Sequence, residues 1–373
     1  MAGSRPGPRG KRPSPLETKL GRVAELRKAP SGAGGAELLA FLGEAEPYLV
    51  ARTAELIAEQ GLVDLVPGLA AAFRRLVEGS QPDPGCTALA KVAQSLSQLV
   101  AYEPELYLLG LGLVRRERSG TVFVDAAVPV RAECAMALVR IAYRDALLDL
   151  APLLADDEAP VRAAVARAIG DLGSDGAAAV LHLKLRVGDA DPDVLGACMA
   201  GLLVAAPARF LPTVAGYLDD GELGELAAIA LGESRKPEAF PLLRDALGSR
   251  RTAHSSAILV ALALLRTDQA TDHLLDVLAK APESLAEQAL GALAVQRHLP
   301  ILSGRVRTIV EGRGEPGLRR ALVQKFGDVL GLPAGERASP THEVRGIPDQ
   351  DTVDDPAAVE AAWAAERPRG RRR

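Results

Sequence analysis

The feature that most limits what this chain can fold into is a ten-residue segment that returns at a regular interval. Pro-Val-Arg-Ala-Glu-Cys-Ala-Met-Ala-Leu at 129–138 comes back as Pro-Val-Arg-Ala-Ala-Val-Ala-Arg-Ala-Ile at 160–169. The frame recurs with anchors at Val130, Val161, Val194, Leu223, His254, Leu285 and Leu318, spaced 31, 33, 29, 31, 31 and 33 residues apart. Inside a unit the apolar residues share a helical face: Val161, Val165, Ala168, Ile169 and Leu172 fall at offsets 0, 4, 7, 8 and 11. A turn from Gly173 to Gly176 follows, then a second apolar run through Val180, Leu181, Leu183 and Leu185. An acidic turn from Gly188 to Asp193 closes the unit, with Asp191 placed to cap the next helix and Pro192 in its first turn. A period near thirty with helical patterning inside it describes stacked helical hairpins, each buried only against its neighbours.

The repeat therefore predicts an all-α fold, a right-handed α-solenoid of about nine antiparallel helix hairpins. The solenoid is placed at residues 36–330, with helices starting near Pro129, Pro160 and Pro192. Upstream the pattern drifts but persists, through Glu46-Pro47-Tyr48-Leu49-Val50-Ala51-Arg52 and then Ala88, Val92 and Leu96. The intervals lengthen there to 40 and 42 residues, so insertions are placed at Glu78 to Gly85 and Arg115 to Asp125. The second is a long inserted loop near 114–127, in which Arg115, Arg116 and Arg118 precede a β-prone run, Thr121 to Val124. Residues 1–35 are assigned to a basic, Pro/Gly-rich, largely disordered segment with room for a short helix. Residues 331–373 are assigned to a disordered tail with a short helix at 355–366.

Charge is unevenly placed. The net charge of −4 hides eight Lys/Arg against two Glu in residues 1–30 and five Arg against one Glu in 366–373. The body between keeps 31 basic and 45 acidic residues, which disfavours a nucleic-acid cleft within the solenoid. The basic ends read as solvated chain. No uncharged apolar run is long enough for a membrane span, so no membrane is expected among the partners. The N-terminus shows no secretory pattern. The three cysteines, Cys86, Cys134 and Cys198, are sparse and odd in number. That fits a reducing compartment, and a cytoplasmic location is expected.

The units resemble HEAT repeats, in particular the short bacterial kind shared with phycobilisome-lyase-type repeat proteins. The residues that carry the likeness are the turn, Pro, Val-Arg and Ala-x-x-Ala-Ile/Leu-Gly series at 156–170, echoed at 125–138 and 316–327. The resemblance implies that an aspartate in the turn pairs with the arginine of the following helix. Asp125 with Arg131, and Asp156 with Arg162, keep the required separation, whereas Leu318-Arg319 has Arg313 where the aspartate would stand. The resemblance extends to HEAT-type metal hydroxylases, which use repeated His-Glu pairs as metal ligands. Of His182, His254, His273, His298 and His342, only His342 precedes a Glu.

No residue is assigned a catalytic, cofactor-binding or metal-ligating role, and no cofactor is expected. Asp189-Ala190-Asp191-Pro192-Asp193 lacks the later Gly and distal Glu of a calcium loop and reads as a capping turn. Cys134 and Cys198 occupy the inward position held by Val165 in the intervening unit, as core thiols do. The function that remains is a non-catalytic protein–protein interaction scaffold with an extended acidic surface. The partner is one or more proteins with a basic patch or segment. The contacts are assigned to Asp156, Asp157, Glu158, Asp189, Asp191, Asp219 and Asp220 in the turns and to Arg115, Arg116 and Arg118 in the insertion. Trp363, the sole tryptophan, is assigned to the tail helix with Val359 and Ala362. The alternatives are an enzyme or accessory protein of the HEAT-like lyase/hydroxylase type and a nucleic-acid-binding repeat protein.

Overall fold

The computed structural model describes residues 14–79, 83–249 and 254–331. The tail helix placed at 355–366 and Trp363 lie outside the described residues. Among the described residues nineteen α-helices follow one another. They are α1 (Pro15–Lys28), α2 (Gly35–Leu42), α3 (Pro47–Glu59), α4 (Val66–Val77), α5 (Thr87–Gln98) and α6 (Pro104–Leu111). After a two-stranded insertion come α7 (Val128–Arg140), α8 (Ala146–Leu150), α9 (Ala159–Asp171), α10 (Asp175–Val187), α11 (Pro192–Ala205) and α12 (Pro207–Ala215). The stack ends with α13 (Gly224–Glu233), α14 (Ala239–Gly248), α15 (Ser255–Leu265), α16 (Asp268–Lys280), α17 (Glu283–Leu293), α18 (Pro300–Arg313) and α19 (Pro316–Leu330).

The helices form two layers. Odd-numbered helices from α3 to α19 pack on one another in sequence, each also paired with the even-numbered helix before it. The repeat anchors Val130, Val161, Val194 and Leu318 are fully buried near the starts of odd helices. Proline in the first turn starts many of these helices, because its missing N–H would have no partner there and its φ already suits a helix. Ser174, Asp191 and Thr267 accept backbone N–H bonds at the starts of α10, α11 and α16. The sequence expectations at Asp191 and at Pro129, Pro160 and Pro192 are met by these elements.

Small residues bring the odd layer close. A Cβ on Gly170 would stand 2.4 Å from the Gly201 Cα, and one on Gly232 would stand 2.5 Å from the Ala261 carbonyl oxygen. The helix pairs α9/α11 and α13/α15 therefore touch backbone to backbone, which explains an apolar core built mainly of Ala, Leu and Val.

Two boundaries differ from the sequence reading. The ordered body begins before residue 36: α1 packs on α3 and buries Val23 and Leu26. Ser14 and Glu17 form a capping box at its start, so the short helix allowed for within residues 1–35 is present and belongs to the stack. The insertion near 114–127, expected as a long loop with a β-prone run, is more regular than a loop. It is an antiparallel hairpin of β1 (Arg116–Ser119) and β2 (Val122–Asp125), the only strands among the described residues, turning at Gly120 with φ +62°. No helix among the described residues is long and apolar enough to cross a membrane.

Candidate protein-binding rim

Contacts join successive even-to-odd connections: Glu117 of the hairpin accepts the Gly85 N–H, Arg131 bridges Asp125 and Asp156, and Arg162 reaches Asp189. Near the start of α11, Gly196 lies against Leu226 near the start of α13. The hairpin and the acidic turns at 156–158, 188–193 and 219–222 therefore follow one another along one rim of the stack. Neighbouring helices set the spacing between successive turns at about 8–10 Å.

Beneath the row runs a ladder of ion pairs. The Arg131 guanidinium, almost wholly buried, donates to Asp125 and, at 3.1 Å, to Asp156. It also donates to the Leu113 carbonyl at 2.7 Å. Arg162 makes a forked contact with Asp189, Nη2 to Oδ1 at 2.7 Å and Nε to Oδ2 at 2.8 Å. Lys184 adds a third donor to Asp189 at 2.8 Å. The expected Asp125–Arg131 pair is therefore present, but the Asp156–Arg162 pair is not one of side chains. Arg162 takes the Asp156 backbone carbonyl at 2.8 Å and sends its charge forward to the next unit, because Arg131 already occupies the Asp156 carboxylate. The ladder stops at the following unit, where Leu195 stands at the arginine position.

These contacts hold charges in place. The Arg162 guanidinium beside Asp189 keeps that carboxyl well below the ordinary range, with Lys184 helping and burial opposing. Burial also works against the Asp125 carboxylate, but the Arg115 N–H, the Arg131 guanidinium and the Ala127 N–H outweigh it and lower its pKa. Asp220 is lowered by the Leu223 and Glu222 N–H groups it accepts at 2.8 and 2.9 Å.

The sequence-assigned contact residues accordingly divide. Asp156 and Asp189 are committed to the ladder, so they are not the open carboxylates the sequence reading made of them. Arg115 is likewise internal: its guanidinium donates to the Leu76 and Val77 carbonyls at 3.0 and 3.3 Å, closing the C-terminal end of α4. Asp191 is exposed in part and Asp220 is exposed, and each uses its Oδ1 to accept backbone N–H groups of the following turn. Asp157 and Asp219 are exposed, Glu158 is half-buried, and Arg116 and Arg118 are exposed on the hairpin.

The insertion's arginines and its β-prone run both stand out in the sequence, but the exposure of the apolar edge does not. Phe123 is 72% exposed, and the strand register sets it opposite Arg118. Val122 and Val124 are exposed as well. The base of the hairpin is fixed by Asp125 through Arg131 and by Glu117, which accepts the Gly85 N–H at 2.8 Å. The β-prone run in the sequence was the available signal; its exposure required the pairing.

The remaining chemistry-bearing residues are dispersed. Cys86, Cys134 and Cys198 are buried and unpaired. Burial pushes Cys86 up to about 11 and Cys198 up to about 12. His182 packs edge-on against Phe210, His273 against Phe240, and His254 Nε2 lies 2.9 Å from the Asp220 carbonyl. Among the described residues no group of three or more His, Cys, Asp or Glu is placed to hold a metal ion.

This arrangement defines a helical-repeat stack with one decorated rim. Residues 122–203 and 211–294 match the family profile of HEAT repeats, so the chain carries HEAT repeats across those spans. No curated protein sequence matches it. Among solved structures, human deoxyhypusine hydroxylase in complex with glycerol is similar at 16% identity, covering 72% of this chain and 99% of that one, with a TM-score of 0.30. An engineered protein is similar at 16% identity, covering 85% of this chain and 95% of that one, with a TM-score of 0.32. Similarities this low do not bear on what the chain does.

Proposed function

We propose that the protein is a non-catalytic scaffold, a right-handed stack of about nine HEAT-type hairpins that holds a partner protein along one rim. The observation that carries this reading is the anchored hairpin 116–125. It displays Phe123, Arg116 and Arg118 to solvent while Glu117 and Asp125 pin its base to the stack. An exposed aromatic beside two arginines is the composition of an interface centre. A fixed base spares part of the ordering entropy that a free loop loses on binding. The exposed Asp157, with the half-buried Glu158 beside it, continues the row, so the partner pairs an apolar contact at the hairpin with basic residues along the turns. The cytoplasm is the compartment that suits three unpaired thiols.

The test begins with a photo-crosslinking residue in place of Phe123 in the native cell. The captured protein is then purified and titrated against the chain. Phe123→Asp is expected to weaken binding by at least about tenfold, as hot-spot truncation does. Asp157→Lys with Glu158→Lys is expected to slow association and flatten its salt dependence. Equal affinity for wild type and Phe123→Asp would overturn the reading.

A further inference from the structure

The outer face of the even layer carries an apolar strip that the rim does not use. On α10, Leu183 and Val187 are one helical turn apart and 64% and 73% exposed. Leu148 on α8 is 74% exposed, and Pro212 on α12 is exposed too. These helices are neighbours: Gly176 of α10 lies against Leu147 of α8, and His182 of α10 lies against Phe210 of α12. Exposed leucine and valine scattered singly need no explanation, but large ones on successive stacked helices form a patch. The patch is flanked by cations. Arg186 beside Val187, and Arg209 at the start of α12, are exposed and make no ion pair among the described residues.

We propose that this face is a docking site for the chain's own segment 351–366, seated as an amphipathic helix with Trp363 on Leu183 and Val187. The segment supplies what the face lacks. It holds five carboxylates, Asp351, Asp354, Asp355, Glu360 and Glu366, and no Lys or Arg. It also holds Val359, Ala362 and Trp363 at helical spacing. Its charge is opposite to Arg186 and Arg209 and its apolar residues match the strip. Reach is sufficient. The chain from Gly331 to Asp351 extends to roughly 65–70 Å. Three or four helix spacings separate α18 from α12 and α10, about 30–40 Å. Tethering also gives the segment an effective concentration near the millimolar range, which favours it over a second copy or an outside helix of the same composition. The proposal is independent of the rim and its partner.

Trp363 is the chain's only tryptophan, so its fluorescence reports this contact directly. In the full-length chain its emission should be blue-shifted, and acrylamide should quench it several-fold less than in a peptide of residues 351–366. Leu183→Asp with Val187→Asp should abolish the shift and the protection while circular dichroism and the melting curve stay as in wild type. Asp354→Lys with Asp355→Lys leaves every described residue of the stack unchanged; this pair should also weaken the protection, and more so at low salt. Three results would each overturn the proposal: quenching of Trp363 in wild type like that of the free peptide, protection that survives both sets of substitutions, or protection that vanishes on dilution, since that last outcome assigns the face to a second copy.

Discussion

At the scale of single residues, the turn aspartates that look alike in sequence do different work. Asp189 is enclosed by Arg162 and Lys184, whereas Asp157 faces water. Asp189→Asn should cost about 3 kcal/mol, the low end for losing one partner of a buried pair, because the two cations keep part of their surface in water. Asp157→Lys should change stability by less than about 0.5 kcal/mol. Urea unfolding of both variants checks the contrast. The pH dependence has a definite sign. The folded-state pKa of Asp189 is depressed, so its stabilisation is complete above the ordinary carboxyl range, about pH 4, and is lost as pH falls toward the folded value. Wild type should therefore lose stability more steeply than Asp189→Asn on acidification below about pH 4. The thiols give a second residue-level test. Burial raises the pKa of Cys86, Cys134 and Cys198, so all three should label slowly in the folded protein and quickly in urea. Fast native labelling at Cys134 would contradict its place in the core.

At the scale of elements, helix contact depends on where glycine stands. Gly170→Ala puts a methyl 2.4 Å from the Gly201 Cα in α11 and should cost about 1–3 kcal/mol by forcing α9 and α11 apart. Gly291→Ala in α17 meets nothing within 4 Å and should stabilise by about 0.5–1 kcal/mol, the helix preference of Ala over Gly. Thermal melts of the two variants should move in opposite directions. Helix starts were legible in sequence because their causes are local: Pro129, Pro160, Pro192 and the Asp191 cap act within one turn of chain. What depends on other units was not legible. Arg162 meets Asp189 across 27 residues, and the six-residue spacing to Asp156 suggested a different partner. Leu183 stands in the second apolar run of its unit, yet Leu181 and Leu185 are buried and Leu183 is exposed. Residues two apart on a helix point some 200° apart, so the run could not all face inward. The hairpin was legible as a β-prone insertion and not as an exposed Phe123, since register fixes which side chains share a face.

At the scale of the whole molecule, each hairpin touches only its neighbours, so stability is distributed along the stack rather than held in one core. The distribution is uneven. The ladder from Asp125 to Asp189 ties the turns before α7, α9 and α11 together, and the Gly170–Gly201 contact brings two of those helices to backbone distance. Beyond α11 the ladder ends at Leu195, and the later units are joined by packing and by single bonds such as Gln296 Nε2 to the Ala263 carbonyl. Amide hydrogen exchange should therefore be slowest in α9 and α11 and faster toward α1 and α19. Asp189→Asn makes the decisive comparison. If coupling passes only between neighbours, protection should fall in α9, α10 and α11, less in α7 and α13, and not in α3 or α17. A uniform loss of protection from α3 to α19 would show instead that the stack opens as a single unit, and the Asp189 contacts would then count toward global stability and not toward a local block.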